Sequence, residues 1–151
     1  MELNGETLRF IREHRKDDVR SLALQAPKYP DVDMPVALTQ IAGRQAAAEK
    51  IPSWHEEESV LYPRHLSLEQ CSSEATARYK ASIIPESSSG TLTDLTGGFG
   101  IDCAFLSPKF HHVTYVERQE VLCEIASHNF PLLGLNHIRI ENKDGIRDRK
   151  S

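Results

Sequence analysis

A cluster of glycines near the middle of the chain has the clearest potential for chemistry. It reads Asp94-Leu-Thr-Gly-Gly-Phe-Gly100, and it lies between a segment that suits a strand and one that suits a helix. A turn between a strand and a helix lies at the carboxyl edge of a parallel sheet, where glycines let the backbone pass close to a ligand. We therefore expect Gly97, Gly98 and Gly100 to approach a bound ligand.

One acidic residue further along the chain narrows the kind of ligand. Glu117 directly follows Val113-Thr-Tyr-Val116, a run of β-forming residues that predicts the second strand. An acid at the end of this strand usually accepts hydrogen bonds from two ribose hydroxyls. The glycine turn together with Glu117 therefore predicts a ligand that contains a nucleoside.

Two common nucleotide-binding patterns do not fit the turn. The dinucleotide fingerprint G-x-G-x-x-G/A, started at Gly98, continues with Gly100 but meets Cys103 at its third small position. The P-loop needs Gly-Lys followed by Ser or Thr, and this tripeptide does not occur. Instead an acid precedes the turn, in the pattern Asp94-x-Thr96-x-Gly98-x-Gly100.

This acid-glycine pattern resembles motif I of class I S-adenosylmethionine-dependent methyltransferases, Asp/Glu-x-Gly-x-Gly-x-Gly, with Thr96 in place of the first glycine. Three further segments are similar to parts of that family: Ala126-Ser-His-Asn129 followed by Gly134-Leu135, Asn142-Lys-Asp144, and Ser72-Ser-Glu-Ala-Thr-Ala77. The first is typical of RNA and ribosomal methyltransferases, and the last resembles a segment that helps cover the cofactor in cap-guanine N2-type enzymes. The similarity spans about residues 70–145.

The resemblance implies that the chain binds S-adenosylmethionine or S-adenosylhomocysteine. Asp94 would order the turn near the methionine amino group, Glu117 would bind the ribose hydroxyls, and Asp144 would approach the adenine. The turn itself would supply the remaining contacts, at Thr96, Gly97, Gly98 and Gly100. Each acid also has a structural alternative, because Asp94 and Asp144 suit turns without any ligand and Glu117 suits a solvated strand end.

The elements that position these residues alternate between strands and helices. Strands are predicted over residues 91–95, 112–116 and 138–140, and helices over 101–106 and 118–130. This β-α-β-α-β order predicts an α/β fold with a parallel sheet. With the resemblance, it indicates the first half of a Rossmann-like class I methyltransferase sheet.

The sequence before the glycine turn is helical in pattern. Apolar periodicity predicts helices over residues 7–25, 35–50 and 67–83, the last opened by a capping box at Ser67-Leu-Glu-Gln70, and an irregular connection over residues 53–64. A composition shift at Pro85-Glu-Ser-Ser-Ser-Gly90 divides the chain. We predict a helical N-terminal subdomain over 1–85 and a partial S-adenosylmethionine-binding domain over 86–151.

The composition is that of a globular protein, with 39% hydrophobic residues and a net charge of −4. Neither a secretory signal nor a membrane-spanning run occurs, so we expect a cytoplasmic protein without membrane contact. The three cysteines show no spacing typical of disulfides or zinc sites, and no metal site is expected. The basic side chains of the first helix, Arg9, Arg12, Arg15, Lys16 and Arg20, suit either a solvent-facing surface or contact with RNA.

The function indicated is the cofactor-binding portion of a methyltransferase, with RNA as the leading acceptor. A small-molecule or protein acceptor and a non-catalytic nucleotide-binding or interaction module stay open as alternatives. Class I methyltransferases normally have seven strands, whereas three are predicted here. N-methylating members often have an Asn/Asp-Pro-Pro-Tyr/Phe motif after the fourth strand, and neither Asn-Pro-Pro nor Asp-Pro-Pro occurs in this sequence. We therefore expect an inactive fragment of a longer enzyme, with no assignable catalytic residue and with an open sheet edge that could form homo-oligomers.

Overall fold

The computed structural model describes residues 3–85 and 90–148. Nine α-helices and three β-strands occur within these ranges. In chain order they are α1 (Gly5–Glu13), α2 (Val19–Leu24), α3 (Met34–Lys50), α4 (Pro52–His55), α5 (His65–Gln70), α6 (Glu74–Ser82), β1 (Thr91–Asp94), α7 (Ile101–Leu106), β2 (His112–Glu117), α8 (Glu120–Leu132), β3 (Ile138–Asn142) and α9 (Gly145–Asp148). Short 3-10 helices follow α2 and α7.

The three strands form one parallel sheet in the order β1-β2-β3. Thr91 pairs in register with His112, and Val113 pairs with Ile138. Helices α7 and α8 make the two crossovers, as parallel pairing requires. The predicted α/β class and the β-α-β-α-β order are therefore confirmed, and β1 has no neighbour on its outer side within the described residues.

The prediction of one helix over residues 7–25 is wrong, because the chain breaks between α1 and α2. Two side chains cap separate helices: the Asn4 Oδ1 atom accepts a hydrogen bond from the Thr7 amide at 2.7 Å, and Asp18 Oδ2 accepts one from the Ser21 amide at 3.1 Å. The break lets Phe10 and Leu22 enter the same apolar cluster beside α3. Burial of both side chains outweighs the continuous helical pattern.

The prediction of one helix over residues 67–83 is also wrong, because the chain is extended between α5 and α6. Helix α5 starts at His65, so Ser67 lies inside it and does not form the predicted capping box. The cap of α6 is Ser73, whose Oγ accepts a hydrogen bond from the Thr76 amide at 3.2 Å. The Lys50 ammonium donates to the Leu68 and Glu69 carbonyls, each at 2.8 Å, and these bonds satisfy the end of α5.

The predicted irregular connection over residues 53–64 contains helix α4 and an extended segment held by two buried amides. The Gln40 side chain bonds the amide and carbonyl of Tyr62 at 2.8 and 3.0 Å. The Asn129 side chain bonds the amide and carbonyl of Leu61 at 2.9 and 2.8 Å. This segment is thus paired on one side to α3 and on the other to α8.

The main core joins the helical part of the chain to the sheet. Its buried members come from both sides of residue 85: Ala47, Ile51, Trp54, Val60, Tyr62, Leu68, Ala77, Phe99, Ile101, Cys103, Ala104, Val113, Tyr115, Cys123, Ile125, Ala126, Phe130 and Ile138. The smaller cluster around Phe10 packs α1 and α2 on α3. The division into subdomains at residue 85 stays a prediction. Across the described ranges, no helix is both long and apolar enough to cross a membrane.

Candidate functional site

The turn after β1 has a backbone that only glycine adopts easily. Gly98 and Gly100 have φ angles of +56° and +91°, in the left-handed region. The Gly97 amide donates to the Val116 carbonyl at 2.8 Å, and Gly100 caps α7 through its carbonyl, which accepts from the Ala104 amide at 2.9 Å. Asp94 Oδ1 accepts a hydrogen bond from the Thr96 amide at 3.1 Å. Asp94 therefore orders the turn, which both of its predicted interpretations include.

Close packing explains two of the glycines. A Cβ atom on Gly97 would overlap the Tyr115 ring, and one on Gly100 would lie 2.7 Å from a ring carbon of Phe130. The Tyr115 hydroxyl also donates a hydrogen bond to the Gly98 carbonyl. The turn thus lies directly on two buried aromatic rings. A Cβ atom on Gly98 would lie 3.8 Å from its nearest neighbour, so the φ angle alone favours glycine there.

Glu117 is buried at the end of β2 and binds the turn directly. Its Oε1 atom accepts from the Gly98 amide at 3.0 Å, and its Oε2 atom accepts from the Gln119 amide at 2.7 Å. A carboxylate has about four acceptor sites. Two of these sites therefore have no partner among the described residues, and they could accept bonds from ligand hydroxyls.

Asn142 supports this position; the resemblance included this residue but gave it no role. It lies opposite Glu117 in the β2–β3 register, and its Nδ2 atom donates to the Glu117 and Arg118 carbonyls at 2.9 and 3.0 Å. It thereby fixes the backbone that carries the Glu117 carboxylate. An amide residue at the end of the third strand was the available signal.

A cleft of about 360 Å³ brings together six of the seven predicted site residues. These are Asp94, Thr96, Gly97, Gly98, Gly100 and Glu117. The connection between α5 and α6 lines the same cleft through residues that include Cys71 and Ser72. Ser72 belongs to the segment expected to cover the cofactor, and it lies on the cleft.

Asp144 lies in a neighbouring hollow of about 640 Å³. Thr96, Glu117 and Gln119 line both this hollow and the cleft, so the two are adjacent. Asp144 Oδ1 accepts a hydrogen bond from the Ile146 amide at 3.1 Å, as in a turn. Asn129, which contributed to the family resemblance, is fully buried against Leu61 and does not line the cleft.

Three carboxylates give the cleft its electrostatic character. Burial raises the pKa of Asp94, and the charges of Asp102 and Glu117 raise it further against the opposing effects of the Thr96 amide and Lys80. Asp102 lies 3.2 Å from the Lys80 ammonium and 3.1 Å from the Ser72 hydroxyl. Sequence reasoning did not predict Asp102, because nothing in the motif marks it. A negative, partly buried cleft of this kind favours ligands that carry positive charge.

The arrangement suits binding of a nucleoside-containing cation. The turn provides backbone groups, Glu117 has acceptor capacity for hydroxyls, and Asp94 and Asp102 provide negative charge beside them. No group of three or more His, Cys, Asp or Glu side chains within the described part of the chain could hold a metal ion.

Comparison with known proteins gives one informative similarity. No family model matches the sequence, and no curated protein matches it. The fold is similar to a crystal structure described as a "putative methyltransferase from Porphyromonas gingivalis W83", with a TM-score of 0.73 and 28% sequence identity. The alignment covers 95% of this chain and 35% of the Porphyromonas chain, so this chain spans about a third of that protein. This similarity supports a methyltransferase fold for the chain, with the parallel sheet and glycine turn at its centre.

Proposed function

We propose that this chain is the S-adenosylmethionine-binding portion of a methyltransferase that acts on RNA. One observation carries the proposal: a buried glutamate at the end of β2 binds the glycine turn after β1, within a fold similar to a methyltransferase. RNA as the acceptor draws its support from the resemblance of residues 126–135 to RNA and ribosomal methyltransferases.

The charges of the cleft match those of the proposed cofactor. S-adenosylmethionine carries a sulfonium and an ammonium group, and Asp94 lies in the cleft with a carboxyl whose charge is poorly solvated. A nearby cation would replace the lost solvation and favour the ionised form. Asp94 therefore binds the methionine end in our proposal.

The two available acceptor sites of Glu117 suit the ribose diol, and the adenine would extend toward the adjacent hollow that Asp144 lines. When bound, the cofactor supplies a methyl group already activated by its sulfonium. The residues of this chain have the tasks of holding the cofactor ends, fixing the turn and excluding water from one side of the cleft.

Calorimetric titration tests the proposal. We expect S-adenosylhomocysteine to bind and NAD not to bind. Glu117→Ala should weaken S-adenosylhomocysteine roughly tenfold or more, because ribose bonds and the order of the turn are lost together. Gly98→Arg should abolish binding by filling the cleft. Glu49→Ala on the exposed side of α3 is the control for loss of a carboxylate.

Two results would contradict the proposal. One is binding of NAD in preference to S-adenosylhomocysteine. The other is a folded wild-type chain that binds neither compound, which would favour a non-catalytic interaction module.

A further inference from the structure

A third cavity is lined mainly by residues that precede the glycine turn, and it has the opposite charge to the cleft. It has a volume of about 390 Å³ and lies between α1, α3 and the extended segment that precedes α5. Three arginines line it, Arg12, Arg15 and Arg44, and we call it the arginine cavity. Its walls also include the apolar side chains of Leu8, Ile11, Val60 and Leu61. A cavity of this size and lining is within the range of ligand-binding pockets.

Among the described residues, the positive charge of the arginine cavity has little compensation. Arg15 lies 3.5 Å from the carboxylate of Glu58, which is the one acidic residue among the described residues of the lining. Within the described ranges, neither Arg12 nor Arg44 makes a hydrogen bond or ion pair, although Arg44 is half-buried. The chain as a whole has a net charge of −4, whereas arginine is in excess over acidic residues at this cavity. Arg44 is half-buried beside open space, and the exposed Arg12 and Arg15 lie on the same cavity, so the site favours an anion as the partner.

Tyr62 lines the same cavity, and its buried hydroxyl group has no partner among the described residues. Tyr62 is 1% exposed, and its hydroxyl forms no hydrogen bond with any described residue. Burial raises the pKa of Tyr62 to about 12, while the charge of Arg44 acts to lower it. Arg44 therefore lies close enough to act on the buried phenol, and a ligand in the cavity would lie beside both residues.

We propose that the arginine cavity binds an unpaired, phosphate-bearing nucleotide of single-stranded RNA. The planar guanidinium fork matches two phosphate oxygens. The apolar walls suit a base that has left its stack, and unpaired bases of this kind are what proteins recognise in RNA. This step rests on the proposed function, because RNA is the acceptor class proposed for the chain.

The position of the arginine cavity suits a role in holding the acceptor strand. Tyr62 lines this cavity, and Phe99 lines the cleft at the glycine turn. The two rings pack together with their centroids 5.8 Å apart. The linings of the two sites are therefore in contact through one aromatic pair. In our proposal, a strand held at the arginines reaches the cleft with another of its nucleotides.

Fluorescence polarisation with a labelled single-stranded oligoribonucleotide tests the inference on the full chain. We expect the Arg12→Ala, Arg44→Gln double variant to bind roughly tenfold more weakly. The slope of log affinity against log salt concentration should fall by about 0.7 for each phosphate that the variant no longer neutralises. Arg9→Ala is the matched control, because Arg9 lies on α1 beside Glu6 and does not line the cavity. It should bind RNA within about twofold of the wild-type chain.

Circular dichroism checks the fold of each variant. If Arg44→Gln unfolds the chain, the Arg12→Ala single variant is used instead, and it should also bind RNA more weakly than the wild-type chain. Equal weakening by Arg9→Ala would overturn the inference, since bulk charge would then explain binding. Unchanged RNA binding by the double variant, or no RNA binding by the wild-type chain, would also overturn it. The same holds if inorganic phosphate displaces the oligonucleotide with an affinity equal to that of the oligonucleotide itself.

Calorimetry with S-adenosylhomocysteine on the same proteins separates this inference from the proposed function. Binding of S-adenosylhomocysteine without arginine-dependent RNA binding would refute the arginine cavity alone. Arginine-dependent RNA binding without S-adenosylhomocysteine binding would leave the cavity supported and refute the proposed cofactor.

Discussion

The three glycines of the turn are required for different reasons, which are steric contact, a positive φ angle, or both. Gly97 is small because Tyr115 lies against it, and Gly98 is glycine because its φ angle is +56° in open space. Gly100 meets both demands, with a φ angle of +91° and the Phe130 ring nearby. Space for a ligand beside the backbone is therefore clearest at Gly98. At Gly97 and Gly100, the space beside the backbone is occupied by the aromatic rings of Tyr115 and Phe130.

Asp94 illustrates a conflict between stability and binding at the scale of one residue. Because burial raises its pKa in the folded chain, its ionisation opposes folding. The stability that protonated Asp94 contributes is fully present below the ordinary pKa of 3.8 and is lost as pH rises through the raised value. Asp94→Asn keeps an acceptor for the Thr96 amide and cannot ionise.

We therefore expect Asp94→Asn to have a higher free energy of unfolding than the wild-type chain at pH 7 and weaker binding of S-adenosylhomocysteine. The stability difference should vanish when the pH falls below the ordinary aspartate range. Urea unfolding across pH and calorimetry measure the two effects. Asp31→Asn, at an exposed position, controls for the loss of one charge. A less stable Asp94→Asn at pH 7 would show that the burial argument is wrong.

Between elements, paired side-chain amides hold the extended segment before α5. Asn129 on α8 and Gln40 on α3 each satisfy one amide and one carbonyl of the backbone at Leu61 and Tyr62. Each side-chain amide thus satisfies a backbone N–H and a backbone C=O, as a neighbouring strand would do in a sheet. They connect the helical part of the chain to the sheet through hydrogen bonds as well as through the core.

Asn129→Ala should lower the free energy of unfolding by about 2–4 kcal/mol, because each buried backbone group left unpaired costs about 1–3 kcal/mol. Chemical denaturation measures this change. Asn136→Ala, at an exposed position close in sequence, should change the free energy by less than about 0.5 kcal/mol. Equal effects of the two substitutions would mean that the amide pair contributes nothing measurable.

Across the whole molecule, one apolar core contains residues from the helical part and from the sheet. Trp54 on α4 packs edge-on against Phe99, with centroids 5.1 Å apart, and stacks on Phe105 at 6.5 Å. It is the only tryptophan of the chain. Loss of either part would therefore expose its indole ring.

We expect Trp54 fluorescence and far-ultraviolet circular dichroism to report the same denaturation midpoint, because the shared core couples the two parts into one cooperative unit. Urea titration with both probes on one sample measures this. The same titration on Leu24→Ala, which alters an 85% exposed side chain, should leave both midpoints in place. Two separate midpoints would instead support independently stable parts on either side of residue 85.

The order of strands and helices after residue 90 was predictable because local chemistry and tertiary structure agree there. Glycines end β1, β-forming residues fill β2, and the pattern of α8 is apolar on one side. The breaks at residues 14–18 and 71–73 were not predictable from periodicity. They follow from burial of Phe10 with Leu22 and from the hydrogen bonds of Lys50 at the end of α5.

The sequence by itself determined the glycine turn, the acid before it and Glu117 at the next strand, because parallel pairing brings successive strand ends to one edge. Only the tertiary structure decided which residues from other parts of the chain lie at that edge of the sheet. Ser72 and Asp102 meet at the cleft because α6 packs on α7. Arg12 of α1, Arg15 after its end and Arg44 of α3 line a separate cavity because α1 packs on α3. Contacts between distant segments depend on the packing of the whole core, which no local pattern encodes.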